Sequence, residues 1–495
     1  MINFRRILVL VLVLGATGAL ITFDVTQSET SVTSTATGAT NESHAVPIIG
    51  AESRLTTSWY CPGVPANDLG ITGNIVVSNS SDSDISGTIT FFSDIQPPVL
   101  SAISIPALSS ISVDAIAGSD STFVSAMVEI NGGVGSVEQL MTHPAGDSVA
   151  LCANSPASEW FFADGFTGAD SIEQIVLTNP YSDSTVVDIS FVTLETKREP
   201  ANLQGYVLLP QSVTILSMAE QGARNEKVVA VSVRASSGRL VAGRSQHYLG
   251  QGRLGYSMTL GASSTSAQWW FPDGEKNANI AEQLVIFNPG ETDRTLSVLF
   301  ITSGEAASSL EPATITAPAG RVVTLNTASL PSLPSGRYGI LVATVSVPTD
   351  LGILSPDQIV VEQVINRSDG NKVGTSVVLG IPAAAASTTW VAASGTTAGL
   401  EDTIVVLNTT SNAATISVLS VGPAGAVALS GLDAVAVPAS GLTLISVPIG
   451  LPIGELIFRA TSPVIVQRLL SRGHDLVGRV AVMALPLIPS PITTP

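Results

Sequence analysis

Trp160-Phe-Phe-Ala-Asp-Gly165, followed by the apolar run Ile175-Val-Leu177 and by Asn179-Pro180, is the stretch of sequence that decides the fold. It is one of four copies of a single pattern, in which a Trp motif opens the copy and an apolar strand ends in Asn 18 to 20 residues later. The recurring residues are Trp59, Trp160, Trp269, Trp390, Asn79, Asn179, Asn288 and Asn408. Self-similarity at a nearly fixed period indicates a repeat architecture.

Short apolar runs broken by Gly, Pro, Ser, Thr and Asn fill each copy, which is typical of many short strands. Each copy closes on a strand of the type Gly255-Tyr-Ser-Met-Thr-Leu260. Six to eight strands in roughly 100–120 residues fit two packed sheets. The sequence therefore predicts an all-β chain of four tandem β-sandwich modules of immunoglobulin-like size. A propeller is the alternative, but one blade usually needs only about 40–50 residues, so the copies are about twice too long for it.

The N-terminus predicts the compartment. Arg5 and Arg6 precede 17 uncharged residues, Ile7 to Phe23, which indicates an apolar helix that is either a signal anchor or a cleaved signal peptide. Both alternatives place the rest of the chain outside the cytoplasm, tethered to the membrane or secreted. The predicted segments are 1–23 for this helix, 24–57 for a Ser/Thr-rich tether, 58–153, 154–262, 263–381 and 382–485 for modules 1 to 4, and 486–495 for a Pro-rich tail.

Composition favours a folded protein that does not bind nucleic acid. Charged residues make up 12% of the chain and apolar residues 45%, which is the opposite of the balance found in disordered chains. The net charge is −18, and a surface this acidic repels phosphate backbones. Cys61 and Cys152 lie at the opening and the close of module 1, where modules 2 and 3 carry Gly261 and Gly380 at the second position. A disulfide is expected outside the cytoplasm, with two buried thiols as the alternative.

The recurring residues are interpreted as structural. Each opening Trp is expected to pack between two sheets, and each Asn to bond the backbone of its own turn. Trp270 and Phe271 are the exception, because a second aromatic pair there is a candidate platform for polysaccharide stacking.

No catalytic or metal-binding pattern stands out, and no cofactor is expected. Glu173 and Glu282 follow their Trp by 13 residues and Glu401 by 11, but glycoside hydrolysis needs two acids in one place, and these acids would be spread along a rod. His44, His143, His247 and His474 are too dispersed in sequence to indicate a metal site.

The Trp-aromatic-x-x-Asp-Gly opening, the Asn-Pro after an apolar strand and the Val-Pro-Ala step at 437–439 resemble a family of secreted actinobacterial proteins of unknown function. The resemblance spans about Trp59 to Met483. Module 1 lacks the Asp of the motif, and module 4 has Val391 and Ala392 in place of the aromatics. The resemblance implies a β-rich repeat protein of the cell envelope and implies no activity.

Three functional hypotheses follow. The first is a non-enzymatic surface protein that acts as a spacer and interaction scaffold for an envelope protein or polysaccharide. The second is a polysaccharide-binding protein that uses Trp270 and Phe271. The third is an envelope hydrolase with a site between modules, which would require acids such as Glu173, Asp273 and Glu282 to meet in one cleft. No ligand or oligomeric state follows from these patterns.

Overall fold

The computed structural model describes residues 45–50, 56–132, 135–302, 310–345, 358–395, 401–449, 454–473 and 476–488. Residues 43–495 form one compact unit, and residues 1–42 form a second unit, to which the predicted anchor or signal peptide belongs and which lies outside the described residues. Within the described ranges, no helix has the length and apolar character needed to cross a bilayer.

The described chain is all-β, as predicted, and its helices are single 3-10 turns of three residues. Because apolar runs of five to ten residues alternate with Gly, Pro and Asn, the chain forms short strands joined by tight turns. The first two repeats contain β1 Thr56–Tyr60, β2 Val64–Pro65, β3 Thr72–Asn79, β4 Ile85–Ser93, β5 Val99–Ile105, β6 Ser109–Asp114, β7 Phe123–Asn131, β8 Ser136–Thr142, β9 Ser148–Leu151, β10 Glu159–Phe162, β11 Ile172–Asn179, β12 Thr185–Thr193, β13 Lys197–Arg198, β14 Tyr206–Leu208, β15 Ser212–Ser217, β16 Val229–Ser237, β17 Val241–Gly250 and β18 Arg253–Leu260.

The last two repeats follow the same order. They contain β19 Gln268–Lys276, β20 Ile280–Asn288, β21 Arg294–Thr302, β22 Ala313–Ala317, β23 Arg321–Asn326, β24 Gly336–Thr344, β25 Val360–Asp369, β26 Lys372–Leu379, β27 Ile381–Pro382, β28 Ser387–Ala392, β29 Asp402–Asn408, β30 Ala414–Gly422, β31 Gly425–Ala428, β32 Val435–Val437, β33 Gly441–Val447, β34 Leu456–Ser471, β35 Arg479–Met483 and β36 Leu485–Pro486. The 3-10 turns span Gly168–Asp170, Ala201–Leu203, Thr327–Ser329 and Ala383–Ala385.

Each repeat contributes strands to two antiparallel sheets. The first sheet contains the Trp strand and has the orders β1-β7-β4-β5, β10-β16-β12-β13, β22-β21-β24-β19-β27 and β31-β30-β34-β28-β36 in repeats 1 to 4. The second sheet ends in the closing strand and has the orders β6-β3-β8-β9, β15-β11-β17-β18, β23-β20-β25-β26 and β33-β29-β34-β35. In repeat 4 the long strand β34 belongs to both sheets.

The two sheets of a repeat share one core. In repeat 2, Trp160, Ile189 and Val231 of the first sheet pack with Ile175 and Leu177 of the second. Strand β11 is buried on both faces, however, and Val176 belongs to the apolar cluster of repeat 1. A strand that is apolar on both faces requires cover on both, so each repeat must pack against a neighbour.

The repeats close into a ring. The four closing strands surround a common axis, with β9 beside β18, β18 beside β26, β26 beside β35, and β35 beside β9 again. Further out, the first sheet of each repeat faces the second sheet of the next, and β28 of repeat 4 meets β8 of repeat 1. We call the axial end at Ser148, Ser257 and Ser376 the serine end, and the opposite end, at the last residues of β9, β18, β26 and β35, the leucine end.

The expectation that the repeats are spread along a rod is therefore wrong. The sheets are arranged around the axis like propeller blades, and each repeat supplies two of them. The length argument against a propeller assumed one blade per repeat. Each repeat supplies two sheets, so each sheet uses about 50–60 residues, which is close to the length of a blade.

Parts of the predicted tether and tail belong to the ring. Ala45, Val46 and Ile49 are buried, and the Ile49 N–H donates to Pro486 O at 2.8 Å while the Ile488 N–H donates to Ile49 O at 3.1 Å. The prediction of a free tether over 24–57 is wrong for residues 45–50, and the tail begins after these contacts. The chain thus enters and leaves the ring side by side.

Candidate functional site

The four opening Trp side chains are all buried, each at 1% exposure or less. In repeats 2 and 3 the indole N–H donates to a backbone carbonyl directly before a strand of the second sheet. Trp160 donates to Leu240 O, before β17, and Trp269 donates to Ile359 O, before β25, at 2.8 Å in both cases. The Trp rings therefore occupy the core of their repeats and offer no face to a ligand.

The four recurring Asn side chains make one shared set of hydrogen bonds. Asn179 Nδ2 donates to Asp183 O at 2.8 Å and to Leu209 O at 3.0 Å, and its Oδ1 accepts from the Tyr181 N–H at 3.1 Å. Asn79, Asn288 and Asn408 make the same bond to the carbonyl four residues on, again at 2.8 Å. Each Asn thus ties its own turn to the Pro-containing step about 30 residues later in sequence, which is a structural role.

The disulfide between Cys61 and Cys152 is present, as predicted. The equivalent pairs are Phe162 with Gly261, Phe271 with Gly380, and Ala392 with Ala484. A Cβ atom added to Gly261 or to Gly380 would lie 2.7 Å from Cζ of the facing Phe ring. Repeats 2 and 3 therefore fill with an aromatic ring the space that repeat 1 fills with a covalent bond.

This complementarity corrects the predicted binding platform. Phe271 is fully buried because its ring occupies the space beside Gly380, so it cannot stack on a ligand. Trp270 is half-buried, packs against the core, and lies between Leu341 of β24 and Ile381 of β27 in the first sheet of repeat 3. The two residues do not form a shared exposed surface.

The most concentrated polar chemistry lies where consecutive repeats meet, at sites that we call joints. At each joint the loop after the Trp motif of one repeat meets two side chains, one from its own second sheet and one from the second sheet of the next repeat. Strand register makes the own-sheet residues Gln139, Arg244, Gln363 and Arg468 equivalent. The residues just before them, which serve the preceding joint, are Glu138, Gly243, Glu362 and Gln467.

Two joints are charged. Between repeats 2 and 3, the Arg244 guanidinium donates to both oxygens of Glu362, at 2.8 and 2.9 Å. The backbone N–H groups of Ala163 and Asp164 donate to the same carboxylate, at 2.9 and 2.6 Å. Both charged side chains are buried, so the hydrogen bonds of this bidentate pair take the place of hydrogen bonds to water.

The joint between repeats 4 and 1 closes the ring with the same chemistry. Arg468 lies 3.4 Å from Glu138 and 3.0 Å from Asp402, with all three side chains buried. Ser394 donates to Glu138 Oε2 from its backbone N–H at 3.0 Å and from its hydroxyl at 2.6 Å.

In the other two joints these two positions are neutral. Between repeats 1 and 2, Gln139 exchanges two hydrogen bonds with the backbone of Gly63, and Gly243 packs so tightly that an added Cβ would lie 2.5 Å from Pro62 Cβ. Between repeats 3 and 4, Gln363 donates to Asp273 O at 2.7 Å, and Gln467 accepts from the Asp273 N–H at 3.3 Å. Arg is therefore always matched by an acid from the next repeat, and Gln never is.

The acids considered for hydrolysis do not meet in one cleft. Burial raises the pKa of Glu173 well above its ordinary value, with Arg244 opposing and Asp164 adding to the shift. Asp273 and Glu282 belong to another joint, where the Glu282 carboxylate accepts from Gln363 and the Asp273 carboxylate pairs with Arg337 and Arg367. Glu401 is exposed and pairs with Arg479 at 3.3 Å, whereas the position equivalent to Glu173 and Glu282 in repeat 4 is Asp402, a partner of Arg468.

Glu282 is a buried acid at the joint between repeats 3 and 4. Burial raises the pKa of Glu282 to about 7, although hydrogen bonds from Tyr338 and Gln363 oppose the shift. Its proton is therefore bound more tightly in the folded state than in the unfolded chain.

We predict that the charged joint tolerates only paired changes. Arg244→Gln or Glu362→Gln alone should lower the free energy of unfolding by about 3–5 kcal/mol, because each leaves a buried charge without its partner. The double variant reproduces the Gln363 and Gln467 combination of the neutral joint and should lose less than the worse single variant. Urea unfolding of the four proteins measures the coupling, and strictly additive losses would contradict the prediction.

We predict that the disulfide can be replaced by the pair used in repeats 2 and 3. Removing it with Cys61→Ala and Cys152→Ala should cost about 4–5 kcal/mol, from the chain entropy of a loop spanning 91 residues. Cys61→Phe with Cys152→Gly should recover part of this loss, because the ring fills the space. Thermal unfolding of both double variants is the measurement; equal stabilities would argue against complementary filling.

We predict that Glu282 makes stability pH-dependent. Because its folded pKa is about 7 and its ordinary value 4.5, ionisation in the folded state costs stability progressively as pH rises from 4.5 to 7. Above that range the cost is about 3 kcal/mol. Glu282→Gln removes this dependence, so the variant should gain on the wild type between pH 5 and pH 8 in urea unfolding. Glu199→Gln, in an exposed pair, is the control, and parallel profiles for Glu282→Gln and wild type would refute the prediction.

Comparison with known proteins adds a family. A family model matches residues 117–378, which is more than half of the chain. No curated protein matches. A solved structure described as "Biofilm associated protein - BSP domain" aligns with 92% of this chain and 100% of its own, at 7% identity and a TM-score of 0.13, a value too low to support an argument about fold or function. The predicted resemblance to a family of unknown function is confirmed at that level: the chain belongs to the family of unknown function DUF5719.

Proposed function

We propose that the protein is a non-enzymatic scaffold of the cell surface or envelope, in which four copies of one sandwich unit close into a rigid ring. The N-terminal apolar segment tethers it to the membrane or directs its secretion. The ring presents one axial end to a partner in the envelope.

The polar groups of the joints support a structural role. Glu138, Glu362, Asp402 and Glu282 all bond to side chains or backbone of their own or neighbouring repeats. Acids committed in this way stabilise the arrangement of repeats and are not free to act on a substrate. The Cys61–Cys152 disulfide supports an oxidising compartment outside the cytoplasm.

The observation that carries the proposal is a pair of exposed apolar side chains at the serine end, away from the point where the chain enters the ring. Val46 and Pro47 line the axis beside Leu151 and Leu260, so the chain enters at the leucine end. The serine end of repeat 1 instead carries apolar side chains in the open: Leu69 is 95% exposed and Ile95 is 64% exposed.

Strand register places both residues at the serine end. Leu69 precedes β3, whose Thr72 pairs with Thr142 next to the start of β9. Ile95 follows β4, whose last residue, Ser93, pairs with Val124 of β7. Val64 of β2 pairs with the same Val124, and the loop after β2 leads to Leu69. We propose that Leu69 and Ile95 belong to a contact surface for another macromolecule, because exposed apolar side chains on one face can serve such contacts.

We predict that this surface makes the contact. A photo-crosslinking amino acid at Ile95 should give a discrete adduct in intact cells. Leu209 is an equally exposed control at 64%, but it bonds to Asn179 at the leucine end and should give none. Adducts from Leu209 but not Ile95, equal adducts from both, or none from either would overturn the proposed presentation.

A further inference from the structure

A short turn at the serine end connects three of the four repeats. It spans residues 143–147, between β8 and β9 of repeat 1, and we call it the His143 turn. The Asp147 N–H donates to Arg472 O of repeat 4 at 2.8 Å. The His143 ring stacks on the ring of Tyr256 in β18 of repeat 2, with 4.2 Å between the ring centroids. The turn therefore lies where repeats 1, 2 and 4 meet.

The turn is closed by a hydrogen bond that requires a neutral histidine. The Ala145 N–H donates to His143 Nδ1 at 2.9 Å. Because Nδ1 accepts a hydrogen bond only when it carries no proton, the ring is neutral and has its proton on Nε2. Protonation turns Nδ1 into a donor and leaves the Ala145 N–H without this acceptor. The geometry of the turn thus depends on the charge of one side chain.

The same type of bond occurs elsewhere in the chain without a titratable group. Asn179 Oδ1 accepts from the N–H two residues later, that of Tyr181, at 3.1 Å. Asn79 Oδ1 accepts from the Ser81 N–H in the same way, at 3.0 Å. An asparagine at position 143 would therefore supply an acceptor for this turn that acid does not remove.

Two basic groups from other repeats lie close to the His143 ring. His247 of β17 in repeat 2 is 5.2 Å away between ring centroids. Arg472 packs against the turn at Gly146, where an added Cβ would lie 2.6 Å from Arg472 Nε. The Tyr256 phenol stays neutral, because burial raises its pKa well above the ordinary value. Burial, His247 and Arg472 lower the pKa of His143 to about 4.

Two acids face the same cluster. Burial also lowers the pKa of His247, and Asp68, in the exposed loop before β3, opposes the shift at both histidines. Asp147 of the turn accepts from the His143 backbone N–H at 3.3 Å, and its charge also acts on Arg472. A protonated His143 is therefore repelled by Arg472 and attracted by Asp68.

We propose that the His143 turn is an acid-sensitive switch, in which protonation of His143 breaks the bond from Ala145 and opens the turn where three repeats meet. The direction follows from linkage. Because the folded pKa is about 4 and the ordinary value is 6.5, the neutral ring stabilises the closed turn fully above pH 6.5. This stabilisation is lost as the pH falls towards 4.

Opening of the turn would reach the proposed contact surface. An added Cβ on Gly70 would lie 3.1 Å from Pro144 Cγ, so the loop that carries Leu69 packs directly against the turn. When Pro144 moves, the loop loses this support, and Asp68 of the same loop is attracted to the charged imidazole. We therefore expect acid to change the position of Leu69. This consequence rests on the proposed function, whereas the switch itself does not.

The test is hydrogen exchange of the full chain, measured by mass spectrometry at pH 7 and pH 5 and corrected for the intrinsic exchange rate. The peptide that covers the His143 turn should lose protection by about tenfold or more between the two pH values. The core strand β11 should keep its protection, because one turn opens while the rest of the ring stays folded.

Three variants assign the effect to one histidine. His143→Asn should keep the turn protected at pH 5, because its acceptor does not titrate. His143→Ala has no acceptor and should lack the protection at both pH values, which also provides the comparison if His143→Asn does not fold. His247→Gln is the matched control, since it changes the neighbouring histidine and leaves the acceptor in place, and it should still lose protection in acid.

Unchanged protection of the turn at pH 5 would overturn the proposal, and so would equal losses in His143→Asn and the wild type. Simultaneous loss of protection in β11 would also overturn it, because acid would then unfold the chain as a whole. The exchange measurement is independent of crosslinking at Ile95, so the switch can fail while the contact surface stands, and the reverse.

Discussion

The ring depends on a buried ion pair between its first and last repeats. Arg468 and Glu138 are separated by 330 residues in sequence and have no access to water. Taking either charge out of water is costly. Glu138 has its compensating charge and hydrogen bonds from Arg468 and Ser394 of repeat 4, whereas Arg468 also pairs with Asp402 of its own repeat at 3.0 Å. Repeat 1 therefore needs repeat 4 to bury Glu138, as repeat 3 needs repeat 2 to bury Glu362 beside Arg244. The joints make four repeats mutually dependent.

The sequence predicts the unit well and its arrangement poorly. The spacing from Trp160 to Asn179 marks strands, turns and core because these are local constraints that recur in every copy. The angle between copies is set by side chains such as Arg244 and Glu362, which come from different repeats. In the sequence each of them is an isolated charged residue within an apolar strand, and nothing local indicates its partner. Glu138, Gly243, Glu362 and Gln467 lie 59, 64, 74 and 59 residues after the Asn of their repeats, so alignment on the Asn residues does not bring them into one column, and only the strand register shows that they are equivalent.

Phe271 and residues 45–50 show why local patterns mislead. An aromatic residue beside a Trp suggests a ligand-binding surface, but the environment of Phe271 is fixed by Gly380, more than a hundred residues later in sequence. Comparing positions 162, 271 and 61 with 261, 380 and 152 as pairs would have placed the ring inside. Residues 45–50 lack any repeat, so they resemble the polar stretch before them, and they are held by contacts with distant segments, at Asn154, Ser263 and Pro486.

The residues at the joints alternate between two types along the chain, and this alternation bears on how the four repeats evolved. Repeats 1 and 3 share the dipeptide Glu-Gln, and repeats 2 and 4 share an Arg at the second of these positions. A half made of repeats 1 and 2 thus begins with an acid and ends with a base, as does a half made of repeats 3 and 4. Two identical halves would satisfy every pairing rule of the present ring, so a two-repeat ancestor that assembled as a symmetric dimer is compatible with the same chemistry, and gene fusion would then have made its two subunits one chain.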